Sequence, residues 1–460
     1  MSKTKEMDMT QGPVLRQMVS FGIPVFFGMI FQRIYNFADV YIVGHYLGDE
    51  ALAAVSIAGT VMFLLLALNA GVSTGVGVVV SQYFGANKKE EMKKAFVASA
   101  IVAIAVVVFI TVVGISTVEP VLRIMQTSDE LIPLAKQYLL IVYAGCIGTM
   151  LYNFSASVLR AVGNSVIPLV FLIVSSVLNI LLDILFVAVI PMGTAGAALA
   201  TVLAQLVSGV LCMIYAGKIL DFVRVKREEW KIDKEYIKEV LKYAIPAALQ
   251  MSIITISDLI LQAKVNTYGT SMVVAYGVCI KVEGIGWELT TAVGSAVGTF
   301  TGQNIGAGNA KRVRKGIRCA HVLNVITTGI FGVAVFFGAP FIMRAFTETD
   351  AAITYGVEYM KIFSCFFLAG GLVVIFQYFL RSAGDVLFTL LMGVSEIVTR
   401  ISLVLLLPGM IGHMGLWFVS PVTWVVAALV GMARYYSNTW VKKAKEVNSS
   451  FDAAEQVVAK

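Results

Sequence analysis

Two carboxylates inside otherwise apolar stretches, Asp39 and Asp183, are the residues of this sequence best placed to do chemistry. Each has an amide companion at helical spacing: Asn36 lies three residues before Asp39, and Asn179 lies four before Asp183. Thr201, in the following apolar stretch, adds a hydroxyl. A carboxylate at mid-membrane costs on the order of 2.5–3.5 kcal/mol on insertion scales, so one that is kept there has a partner, a watery cavity or a role. Two carboxylates, an amide and a hydroxyl form a hard, oxygen-only set suited to a small alkali cation, and neighbouring acids in low dielectric also hold a proton. The blander reading is that an acid one or two turns from a helix end simply reaches water.

These residues need long helices to carry them. Hydrophobic residues make up 58% of the 460 and charged residues 14%, and the mean hydropathy is +0.85, which places the chain in a bilayer. Twelve apolar stretches are long enough, or nearly so, to span: 14–43, 51–82, 95–118, 132–158, 166–189, 194–217, 237–266, 271–302, 318–340, 353–380, 386–407 and 413–440. Helical runs without period-two alternation exclude a transmembrane barrel. The first and fifth stretches run outward and the sixth runs inward. Asp39, Asp183 and Thr201 therefore share one layer, about 8–11 Å inside the outer boundary at 1.5 Å per residue.

Lys and Arg settle the orientation. Lys88, Lys89, Lys93 and Lys94 follow the second stretch, Arg224, Lys226, Arg227, Lys231 and Lys234 the sixth, and Lys311, Arg312, Arg314 and Lys315 the eighth. The alternate breaks are nearly bare, with no Lys or Arg at 44–50, 189–194, 267–270 or 408–412, so both termini are expected in the cytoplasm. The formal charge of +7 is thus topology, with no nucleic-acid partner implied. The polar opening residues show no cleavable signal, so the first stretch stays as a helix. Five scattered cysteines and three scattered histidines give no disulfide framework, metal cluster or cofactor.

The sequence is also written twice. An offset of 221 or 222 lays Ile23-Pro24 on Ile245-Pro246, Gln82 and Gly85-Ala86 on Gln303 and Gly306-Ala307, Tyr138 on Tyr359, and Leu159-Arg160-Ala161-Val162-Gly163 on Leu380-Arg381-Ser382-Ala383-Gly384. Six spans per copy make the halves parallel repeats, the pattern of a transporter whose pseudo-symmetric lobes rock about a site. The division expected is a lobe over 1–217, a cytoplasmic linker over 218–236, a second lobe over 237–440 and a mobile polar tail over 441–460. Pro24 and Pro246 permit matched kinks. In the second copy Glu396 and Arg400, four apart, can pair on one face, structural pairing and substrate binding being equally open for its charges, and one excess acid, Asp258 or Glu283, would suit a cationic ligand in a cavity.

Several of these stretches resemble the multidrug and toxic compound extrusion (MATE) transporters, in the DinF and MepA-like bacterial branch. The resemblance rests on Gln32 to Gly44 (QRIYNFADVYIVG, with Arg33 in place of a second Gln), Gln82-Tyr83-Phe84-Gly85-Ala86, Gln303-Asn304-Ile305-Gly306-Ala307, Leu159 to Asn164, Asn179 to Asp183 and Gly196 to Thr201. It implies an all-α integral membrane protein of twelve transmembrane helices in two six-helix pseudo-symmetric lobes, V-shaped, in the bacterial plasma membrane. The implied activity is export of organic, often cationic, drug-like compounds in exchange for Na+ or H+, by a monomer surrounded by lipid. Asp39, Asn179, Asp183 and Thr201 match the branch's cation site, and Asn36, Tyr35, Asp258 and Glu283 are accessory or substrate-cavity candidates. A lipid-linked oligosaccharide flippase of the same superfamily is the alternative, disfavoured by twelve spans and an acidic first lobe. The loop GANKKEEMKK lacks the major-facilitator signature, and the absence of a GxxxxGK[ST] loop counts against a built-in ATPase. An intramembrane enzyme finds no His/Cys cluster to support it.

Overall fold

The computed structural model describes residues 6–458, with side chains apart from those at 63–65 and 450–458. Lipid offers no hydrogen bonds to a backbone, so a chain this apolar must satisfy its peptide groups within each segment. It does so in fourteen α-helices: α1 (Val14–Leu47), α2 (Asp49–Gly85), α3 (Lys89–Ile124), α4 (Ile132–Ala144), α5 (Cys146–Ala161), α6 (Val166–Asp183), α7 (Thr194–Ile219), α8 (Lys234–Asn266), α9 (Thr270–Gly306), α10 (Ala310–Phe346), α11 (Asp350–Ser382), α12 (Val386–Ile411), α13 (His413–Tyr436) and α14 (Thr439–Val458). No strand occurs among the described residues. Among the described residues nine helices are long and apolar enough to span, and up to eleven if each of two bent pairs forms one span. α9 is the twelfth span by the repeat, the counterpart of α2, and carries Lys281, Glu283 and Glu288.

The stretch 132–158 is not one straight helix. α4 and α5 meet at Gly145 with a bend of 47°. A Cβ on Gly145 would lie 2.3 Å from the Val202 side chain, so the break lets α7 press into the corner. Further along, a Cβ on Gly148 would lie 2.9 Å from the Leu206 backbone nitrogen, and one on Gly209 2.8 Å from that of Tyr152. These glycines seat α7 against α5 and fix the height of Thr201.

Two compact units emerge, and their boundaries differ from a division at 217 and 237. The first unit comprises the residues up to Asp8 together with Phe27–Ala248, and the second comprises Met9–Phe26 with Leu249–Lys460. Each unit therefore takes in the first part of a long helix from the other copy of the repeat. The chain changes unit two residues after Pro24 in α1 and two after Pro246 in α8. The matched glutamines of the repeat hold the exchanged segments. In the first unit Gln82 meets the Tyr243 hydroxyl at 3.2 Å, and the Tyr83 hydroxyl donates to Glu239 at 2.8 Å. In the second, the fully buried Met9 donates its N–H to Gln303 Oε1 at 2.8 Å, while Asn304 Nδ2 and Arg312 Nε donate to the Met9 carbonyl at 3.1 and 3.0 Å.

The linker contains two single turns of 3-10 helix, Asp221–Val223 and Arg227–Glu229, and a Lys93–Glu229 ion pair at 2.5 Å ties it to α3. Hydrogen bonds from Lys93 and from the Lys226 backbone hold the Glu229 carboxyl below the usual carboxylate range. The tail corrects the expectation of a mobile segment, since α14 runs through it. Trp440, Ala444 and Val447 recur at spacings of four and three and are buried, and the Trp440 ring packs on Phe379 at 5.2 Å between centroids. Replacing Gln303 by Leu leaves the buried Met9 N–H without its acceptor. The expected loss is about 1–3 kcal/mol, measurable as a lower Tm together with faster amide exchange around residue 9.

Candidate ion site in the first unit

The first unit gathers the acids the sequence singled out. Asp39 comes from α1, Asn179 and Asp183 from the last turn and a half of α6, and Thr201 from α7. Asn179 Nδ2 donates to Thr201 Oγ1 at 3.3 Å, which ties α6 to α7 at this level. Asp183 is 0% exposed and Asn179 2%. Four oxygens here are buried without a hydrogen-bond donor: Asp39 Oδ1, Asn179 Oδ1 and both carboxylate oxygens of Asp183. Asp39 and Asp183 lie near enough to interact electrostatically, and Tyr138 of α4 feels both.

Local backbone geometry places these oxygens. Directly after Asp183 the chain widens into a π-helical segment, Ile184–Val189. Such i→i+5 turns are rare and recur at functional sites. Gly196 at the start of α7 allows the close approach, because a Cβ there would lie 2.7 Å from the Phe186 carbonyl oxygen inside the π segment. Gly193, at φ +65°, makes the sharp entry into α7 that brings Gly196 and then Thr201 alongside.

The accessory candidates separate. Tyr35 is buried beside the site, with Gln32 and Gln205 in reach of its hydroxyl. Asn36 is exposed and makes no hydrogen bond among the described residues, so it does not accompany Asp39. Asp258 and Glu283 belong to the second unit. There the Arg400 guanidinium forms its ion pair with Asp258, across α8 and α12, while Glu396 lies near enough to it to interact electrostatically. Glu396 accepts from Gln377 Nε2 at 2.9 Å. Glu283 accepts from Trp287 Nε1 at 2.9 Å and from the Tyr359 hydroxyl at 2.7 Å, inside a packed aromatic cluster. Tyr138 and Gln205 escaped the sequence reading. Tyr138 was visible only as a repeat match, and Gln205 only as the residue four after Thr201 on one face of α7.

Every donorless oxygen of the layer is an acceptor, and the layer offers two carboxylates to one bound charge. Such a set has the donor chemistry for a small hard cation or a proton. Overpacking at Gly196 tests how the layer is held. Gly196→Val is expected to cost about 1–3 kcal/mol of stability and to weaken ion-dependent stabilisation in a thermal unfolding assay, while Gly193→Ala perturbs only the entry turn.

Residues 24–185 and 246–406 each match the MatE family model, one match per repeat. Among curated relatives, the probable multidrug resistance protein YpnP of Bacillus subtilis is 29% identical over 95% of this chain and 98% of its own length. The multidrug export protein MepA of Staphylococcus aureus is 22% identical over 93% and 94%. Among solved structures, a multidrug resistance MATE family transporter of the MOP superfamily in an outward-facing conformation superposes with a TM-score of 0.89 at 22% identity, covering 97% of this chain and all of that one. A MOP superfamily transporter from Pyrococcus furiosus gives the same figures. With both repeats matched and the helical architecture shared end to end, this multi-pass membrane protein belongs to the MatE family and is a MATE transporter.

Proposed function

We propose that this chain is a secondary antiporter that exports organic, often cationic, drug-like compounds in exchange for Na+ or H+ bound by Asp39, Asn179, Asp183 and Thr201. The observation that carries the reading is the set of four buried oxygens without donors, contributed by α1 and α6 beside the Thr201 hydroxyl of α7. A buried carboxylate with no donor is costly while empty, so occupation by an ion changes the energy of the layer by several kcal/mol and gives transport something to couple to. The names of the relatives, multidrug resistance and multidrug export proteins, supply the substrate class. The Lys and Arg distribution supports cytoplasmic termini, and the protein acts as a monomer in the bilayer.

One net charge moving down 100 mV releases about 2.3 kcal/mol. That sustains a substrate gradient of about fifty-fold, so no hydrolysis is required.

The test is efflux of a fluorescent organic cation from vesicles on which Na+ and pH gradients are imposed separately. One of the two gradients is expected to drive export, and Asp39→Asn and Asp183→Asn each to lower that driven export by at least about tenfold (about 1.4 kcal/mol). Export indifferent to both substitutions would overturn the site. Transbilayer movement of a lipid-linked oligosaccharide in the same vesicles, with no drug efflux, would turn the assignment to a flippase.

A further inference from the structure

The second unit contains a buried cation that no acid neutralises. Arg381, one residue before the end of α11, is 8% exposed. Its Nη2 donates to Gln250 Oε1 of α8 at 2.6 Å, and its guanidinium carbon lies 5.8 Å from the centre of the Tyr378 ring. No carboxylate forms an ion pair with it among the described residues. Several acids on the neighbouring elements have other partners, Asp385 with Arg434 at 2.6 Å, Glu396 with Gln377, Asp258 with Arg400, and Glu283 with Trp287 and Tyr359. Arg381 Nε is buried without an acceptor, and so is Nε2 of Gln250, itself 1% exposed. Two adjacent, deeply buried side chains thus hold donors with no acceptor among the described residues.

The surroundings are shaped to hold the guanidinium in place. A Cβ on Gly294 would lie 2.7 Å from the Tyr378 ring and one on Gly298 3.1 Å from it, so α9 is bare where the ring rests. A Cβ on Gly393 would lie 3.1 Å from Gln250 Cγ, which brings α12 against the amide. The repeat shows that the arrangement is particular to this copy. Arg160 matches Arg381, but the positions matching Gln250 and Tyr378 are Gly28 and Ser157, and Arg160 is only partly buried.

We propose that Arg381 and Gln250 form a binding site for a small monovalent anion, a halide or a carboxylate group, in the second unit. A buried guanidinium without a counter-charge is strongly unfavourable, whereas its planar fork matches a carboxylate and a buried amide N–H adds a further donor. The site is separate from the cation layer of the first unit and does not depend on the coupling ion assigned there. A compound carrying a carboxylate supplies this chemistry from the substrate side, and chloride supplies it from solution.

The experiment is thermal unfolding of the purified full-length protein in lipid nanodiscs, at constant ionic strength, with gluconate replaced stepwise by chloride or by formate. The wild type is expected to gain stability saturably with at least one of the two anions, as any ligand of the folded state produces. Saturation by chloride identifies an inorganic ion as sufficient, and saturation by formate alone identifies a carboxylate. Arg381→Gln is expected to abolish the response, and Gln250→Met to raise the half-saturating concentration about tenfold (about 1.4 kcal/mol). If Arg381→Gln does not fold, Arg381→Lys, which keeps the charge and loses the fork, is expected to weaken the response in the same direction. A wild-type Tm indifferent to both anions, or the same anion dependence in every variant, overturns the proposal.

Discussion

The first unit is governed by oxygens that have nothing to bond to. Asp183 is fully buried with both carboxylate oxygens lacking a donor, and Asp39 and Asn179 each add one more. In low dielectric, two nearby carboxylates left charged and unpaired are costly, which makes this layer the polar feature of the unit that the proposed ion would relieve. The local structure is built around that layer. The π segment after Asp183, the glycine that lets α7 touch it, and the glycine contacts between α5 and α7 all set the height at which Thr201 and Asn179 meet.

The duplication supplies the frame and then departs from its own symmetry. In both units a matched glutamine at the end of a long helix holds a segment exchanged from the other copy, Gln82 with Tyr243 and Gln303 with Met9. The chemistry between the helices is not matched. Asp39 falls on Ile260 or Leu261 in the second copy, so the acid layer has no counterpart there, and Gln250 falls on Gly28 in the first. The repeated residues are those that hold backbones together, and the divergent ones carry the buried polar groups that distinguish the two units.

Much of this was legible because an acid in an apolar run stands out against its background. Asp39 and Asp183 were found by contrast, and Asn179 and Thr201 by helical position relative to them. Asn36 shows where spacing alone fails. Three residues rotate a helix by about 300°, leaving an offset of about 60° that here carries Asn36 to the exposed face. The π segment was invisible, since a widened turn leaves no mark in the apolar residues Ile184 to Val189. The exchange of Met9–Phe26 between units is a tertiary contact that counting spans cannot register. α14 was missed for a different reason: its polar composition hid Trp440, Ala444 and Val447, whose spacing was the available signal.

The two units treat the acids of their helices in opposite ways. In the second unit Asp258 has Arg400, Glu396 has Gln377, and Glu283 has both Trp287 and Tyr359. At Asp258 an incoming cation would have to displace the Arg400 guanidinium, and at Glu396 and Glu283 it would compete with hydrogen-bond donors already in place. The acids of the first unit have no such partner to lose, so a cation or proton can enter and leave without stranding a positive charge. An exchangeable ion is therefore favoured at Asp39 and Asp183 because the protein supplies them with no substitute for it.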